Sequence, residues 1–114
     1  MLGKIKNITG TPVANPLAKD ALMKVLVGPS EGWGDHVMRV FELQPGGFTP
    51  KHAHDWPHIN VVLEGQGTLF LEGKENPVEA GAYAYIPNHE LHQFKNTGNT
   101  VFKFICIVPK DSHK

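Results

Sequence analysis

The chain has 114 residues, enough for one small core and too few for two. Lysine plus arginine equal aspartate plus glutamate at 11 each, so no excess charge draws nucleic acid or an anionic membrane surface. A single cysteine, Cys106, excludes an intrachain disulfide and gives no thiolate zinc site.

From the N-terminus, "MLGKIKNITGTP" lacks the apolar run of a signal peptide, and no stretch approaches the ~20 apolar residues of a membrane helix. The expectation is a soluble cytoplasmic protein with neither a membrane nor a nucleic-acid partner. Residues 14–24, "ANPLAKDALMK", carry helix signals: Asn15 as an N-cap, Pro16 at the first helical position, then Leu17, Ala21 and Leu22. They leave room for one short N-terminal helix.

Beyond them the pattern changes. Turn signals at 29–35, 44–47 ("QPGG"), 64–67, 72–77 ("EGKENP"), 79–81, 87–90 and 96–99 leave only short runs between them. The runs 37–43, 59–65, 68–72, 82–87 and 101–108 are rich in β-branched and aromatic residues. In the last run Phe102, Phe104, Cys106 and Val108 share one face, with Lys103 on the other. Closely spaced short strands predict an all-β sandwich or barrel.

The chemistry-bearing stretch is "KHAHDWPH", residues 51–58. In an extended chain residues two apart project to one face, so His52 and His54 can address one atom. Pairing His54 with His58 on a helix is opposed by Pro57, which disfavours helical geometry at Trp56 and would break a helix interior. The segment reads as strand, tight loop, then a new strand near His58. His92 opens a later apolar run and can meet these three from another strand. A lone His-x-His is equally compatible with a solvated loop; the fourth histidine tilts the reading to metal, since histidine is the commonest metal ligand. His36, His89 and His113 read as structural or surface residues.

Two spacings resemble the paired motifs of the cupin superfamily. The first runs from Gly46 through His52, His54 and His58 to Gly65, with His58 where the family usually has glutamate. The second runs from Gly81 through Pro87, His89 and His92 to Asn96, with His89 where glycine is usual. The resemblance implies a small single-domain cupin: a double-stranded β-helix, or jelly-roll barrel, of six to eight strands over about 37–108, preceded by a segment 1–36 that contributes a strand and a dimer contact. It implies one divalent transition metal per chain on His52, His54, His58 and His92. Manganese or iron is favoured, held octahedrally with two open positions; zinc, nickel and copper also suit imidazole. With no carboxylate ligand, the ion keeps its full charge. The positive-φ turn expected at residue 89 tolerates histidine.

Parity suggests the pocket around such a metal. Asn60 follows His58 inward and Phe94 follows His92; Phe104 and Cys106 lie on the apolar face of the last run. Arg39 and Phe41 share a face with Val37 and Leu43, so Arg39 is either an inward clamp for a substrate oxygen or an interface cation. Phe48 and Trp56 are candidates for the pocket mouth. Catalytic residues are not assigned. The expected function is a metal-dependent oxidoreductase of dioxygenase type acting on a small organic molecule. The alternative is a non-enzymatic module that binds a small molecule or a metal. The expected assembly is a homodimer.

Overall fold

A computed structural model describes residues 1–112; the surface role expected of His113 lies outside them. Nine strands follow in order: β1 Thr11–Pro12, β2 Lys19–Val27, β3 His36–Phe48, β4 His58–Glu64, β5 Gln66–Leu71, β6 Lys74–Glu79, β7 Tyr83–Ile86, β8 Gln93–Lys95 and β9 Phe102–Pro109. Helical structure among the described residues is confined to three 3-10 turns, Ile5–Asn7, Pro29–Glu31 and Lys110–Ser112. The strands form one antiparallel sheet in the order β6-β5-β8-β3-β9-β4-β7, with β2 on β3 and β1 on β2. The curled sheet is the jelly-roll barrel expected, its two path edges being β6 and β7.

Alternation puts one face of each strand inside. On β9, Phe102, Phe104, Cys106 and Val108 are all buried. Phe102 and Phe104 join Leu43, Val62, Leu69, Ile86 and Phe94 in the main core cluster. Each such side chain, fully buried, contributes about 1.5–3 kcal/mol of transfer free energy. Val37, Cys106 and Val108 form a second cluster, with Phe41 and Trp56 packed against it.

Three expectations are corrected. The short helix at 14–24 does not form: Asn15 Oδ1 accepts from the Leu17 N–H at 2.9 Å, its carbonyl accepts from Ala18, and the chain then enters β2. Pairing of β2 with β3 from Lys19 to Val27 outweighs the local cap signal. "EGKENP" is not wholly a turn. Only Glu72 and Gly73 turn, at φ 55° and 77°, a two-residue hairpin that sends Lys74–Glu79 back as an edge strand. An edge is where Pro77 is tolerated. "QPGG" does not end its strand. At Gly46, φ 83°, β3 bends and exchanges β9, which it pairs through Leu43, for β8, which it pairs at Phe48.

Candidate metal centre

Local chemistry delivers each histidine. His58 opens β4 immediately after Pro57, and Ile59 pairs with Ile107 of β9, which fixes the parity that turns His58, Asn60 and Val62 inward. His52 and His92 face each other in an isolated bridge, each N–H donating to the other's carbonyl at 3.1 and 3.0 Å. The His89 N–H donates to the His54 carbonyl at 2.6 Å, tying the first histidine loop to the second. His89 itself sits at φ 68°, so the turn keeps its left-handed geometry without glycine.

The ligand atoms of His52, His54 and His92 lie within 4.8 Å of one another. His58 stands beside this trio: its Nε2 is 3.1 Å from His92 Nε2, and its ring centroid is 5.4 Å from that of His54. His52 and His54 also approach through Nε2, at 3.1 Å. No aspartate or glutamate joins the group among the described residues.

Proton inventory shows what the cluster lacks. Asn60 Nδ2 donates to the Ile105 carbonyl at 3.1 Å, so Asn60 Oδ1 is the acceptor for His58 Nδ1–H at 2.8 Å. His92 Nδ1–H donates to the Glu90 carbonyl at 2.8 Å. Both Nε2 atoms therefore carry bare lone pairs, aimed at each other with no proton between them. A shared cation would reconcile them. One first-row ion at about 2.0–2.1 Å from each nitrogen would set neighbouring nitrogens about 2.8–3.4 Å apart, a range that includes the two 3.1 Å contacts. The donor set fits a divalent transition metal.

Electrostatics keep those lone pairs available. Burial, then the field of His92, lowers His58 to about 3. Burial, with the neighbouring His52, His92 and Arg39, lowers His54 to about 4. His52 is lowered by burial and by His92, and His92 by burial, partly offset by Glu90. The imidazoles are neutral at pH 7.

The predicted pocket residues divide. Arg39 does turn inward: its Nη2 lies 3.3 Å from Cys106 Sγ, and its Cζ is 5.1 Å from the Phe41 ring centroid. Cys106 is buried 3.7 Å from His58 Nδ1, and desolvation raises its pKa despite Arg39. Trp56 stacks on His54 at 4.4 Å and 8°. Phe41, Phe104 and Phe94 form a stacked slab, with centroids 5.5 and 4.0 Å apart; Phe104 and Phe94 are both core, and Phe94 also lines a cavity. Phe48 is not brought to the site. It pairs with Lys95, whose side chain reaches Glu75 on the outer surface, so parity turns Phe48 away from the interior.

A cavity of about 370 Å³ walled by strands β4 to β8 is lined by Asn60, which hydrogen-bonds His58, and by Phe94; the four histidines are not in its lining. A cleft of similar size, about 380 Å³, lies at the other end of β4 between turns, around Gln66 and Thr100, away from the histidines. Among the cavity residues missed in the sequence, along with Leu69, Leu71, Asn76 and Val78, are Ala82 and Ala84. The alternation Ala-Tyr-Ala-Tyr along β7 was their signal. Thr49 was also missed: its Oγ1 accepts from Phe94 N–H at 3.0 Å, and its carbonyl accepts from Gln93, bracing the strand after His92.

The family model described as the cupin domain matches residues 39–108. Auxin-binding protein 1 of Arabidopsis thaliana is 31% identical over 117 residues, covering 93% of this chain and 59% of that protein. The oxalate-binding protein of Thermotoga maritima is 32% identical over 68 residues, covering 59% of this chain and 56% of its own. The chain thus spans under two thirds of the length of these relatives. Among solved structures, the polyketide cyclase RemF of Streptomyces resistomycificus superposes with a TM-score of 0.86 at 30% identity, covering 96% of this chain and 80% of that one. A predicted oxalate decarboxylase of Thermotoga maritima gives 0.85 at 26%, covering 96% and 98%.

Proposed function

This chain belongs to the cupin domain family, and from that premise we propose that it is a metal-dependent oxidoreductase of dioxygenase type acting on a small organic molecule. Its ligands are His52, His54, His58 and His92, and its metal is manganese or iron first, with zinc, nickel and copper as alternatives. The observation that carries the reading is the convergence of Nε2 atoms, two of them deprived of protons by Asn60 and the Glu90 carbonyl. Four neutral ligands leave the ion its charge and leave room for substrate oxygen. Arg39 lies close enough to His54 and His58 to lower both, and its guanidinium would receive a developing negative charge on a bound oxygen.

The experiment pairs elemental analysis of protein purified without chelators with oxygen uptake by manganese- and iron-loaded samples. The substrates tried are aryl carboxylates, diketones and enediols. Turnover that His54→Ala abolishes is the expected result. A closed four-coordinate ion without exchangeable water overturns it.

A second reading, a module that binds without turnover, draws on the absence of a carboxylate from the cluster. Its relatives named for binding auxin and oxalate support it. Reversible ligand binding with no oxygen uptake would favour this second reading.

The assembly we propose is a homodimer. Across β9, β4 and β7 the outward row Ile107–Ile59–Tyr85 lies beside Ile105–Val61–Tyr83. Tyr83 and Tyr85 are 84% and 60% exposed there.

A further inference from the structure

Of the four histidines, His54 has the least support from backbone pairing. His58 opens β4, and His52 and His92 are joined in their own bridge. His54 lies outside every strand and bridge, and it is only half-buried. Its carbonyl accepts from the His89 N–H, which ties the backbone and leaves the ring to be placed by other means. The outer torsion of a histidine side chain is soft, so the imidazole turns unless something packs on its face.

Trp56 packs there. The indole lies flat on the imidazole, with centroids 4.4 Å apart and planes 8° from parallel. The other three rings meet His54 at steeper angles, His52 at 67°, His92 at 64° and His58 at 55°. The indole is itself seated against the cluster of Val37, Cys106 and Val108. Trp56 also bonds the His54 ring through its backbone, in the sense that favours the charged imidazole. A bond of that sense has the ring N–H donating, so the acceptor is the Trp56 carbonyl. One residue thus sets both the plane of the ring and the direction of its proton.

We infer that Trp56 is a positioning residue of the metal centre, its indole face holding the His54 ring in the plane from which it ligates. The inference rests on the four-histidine reading above and deepens it. Three ligands are placed by backbone pairing and the fourth by a side-chain stack. Without the stack His54 stays tethered but turns, and the ion keeps three firm ligands.

Cobalt is the probe, and chelator competition on the full chain gives its affinity. Trp56→Ala should weaken cobalt binding by about ten- to a hundredfold, the range for losing a residue that orients a metal ligand. Trp56→Phe keeps a flat face and should stay within about threefold of the parent. Trp56→Leu separates positioning from packing. It offers apolar bulk to Val37, Cys106 and Val108 without a flat face, so it should lose affinity as Trp56→Ala does. In a His54→Ala background, Trp56→Ala should cost no further affinity, because the residue acts through His54. Leucine serving as well as phenylalanine, or an equal loss with and without His54, overturns the inference and leaves the metal centre standing. A parent protein that binds no cobalt removes the metal centre and the inference with it.

Discussion

At His58 a neutral ring occupies the inward position on β4, and its surroundings hold it neutral. It is buried, it faces His92 at 3.1 Å, and its one proton is directed to Asn60. The pH dependence of the metal-free fold follows. An unfolded histidine takes its proton near pH ~6.5. In the fold, His58 resists protonation down to about 3 and His54 down to about 4. Between those limits the unfolded chain binds more protons. The stability these rings contribute is therefore complete above ~6.5 and drains as pH falls through the window. Denaturant midpoints of chelator-treated protein should fall steadily from pH 7 to pH 4, and His58→Gln should flatten part of the slope. A midpoint independent of pH over that range would show that the rings are not buried in this way. Metal-loaded protein should respond in the same direction and more steeply, because protons compete for the same lone pairs.

At the scale of elements, β2 joins the outer layer to the barrel through a buried ion pair. Lys24 Nζ lies 3.0 Å from Glu42 Oε2 with both side chains 11% exposed, and it also donates to the Ile5 carbonyl at 3.3 Å. Glu42 Oε2 has no hydrogen bond beyond that pair among the described residues. Removing one partner strands a charge: Lys24→Met should destabilise by about 3–5 kcal/mol in urea unfolding, and adding Glu42→Leu should restore most of it. If the single and double variants lose equal stability, the pair is not coupled. None of this was legible in the sequence. Lys24 lay at the end of a segment whose cap signal, Asn15, pointed to a helix, and only pairing with the next strand, β3, decides for β2. The barrel strands were legible because each carries its own alternation, as β9 does from Phe102 to Val108. The histidine positions were legible because Pro57 restricts the backbone at the bend. Phe48 was misplaced because the bend at Gly46 moves β3 from one partner to another, which residue parity alone does not register.

For the whole molecule, the outer sheet face decides the assembly. The N-terminal segment covers half of it: a Cβ on Gly10 would touch the Leu22 side chain, and Ile5 caps Lys24, while Val40 in the same layer is fully buried. The other half, from Ile105 and Ile107 across Ile59 and Val61 to Tyr83 and Tyr85, is uncharged, and Ile59, Tyr83 and Tyr85 are exposed there. Lys103 and Glu64 mark its border. Each aromatic in such a face can bury about 150–250 Å² against a partner. An uncharged, aromatic-rich face of this kind can pack on its own copy about a twofold axis, which places the same residues on both sides of the contact. Sedimentation equilibrium at micromolar concentration should therefore give twice the 12.6 kDa of the chain. Ile59→Glu with Tyr83→Glu sets two carboxylates against their own symmetry mates and should halve that mass. Neither residue points into the barrel, so metal content should be retained. A parent protein that sediments as a monomer, or a double variant that stays paired, would assign this face to some other use.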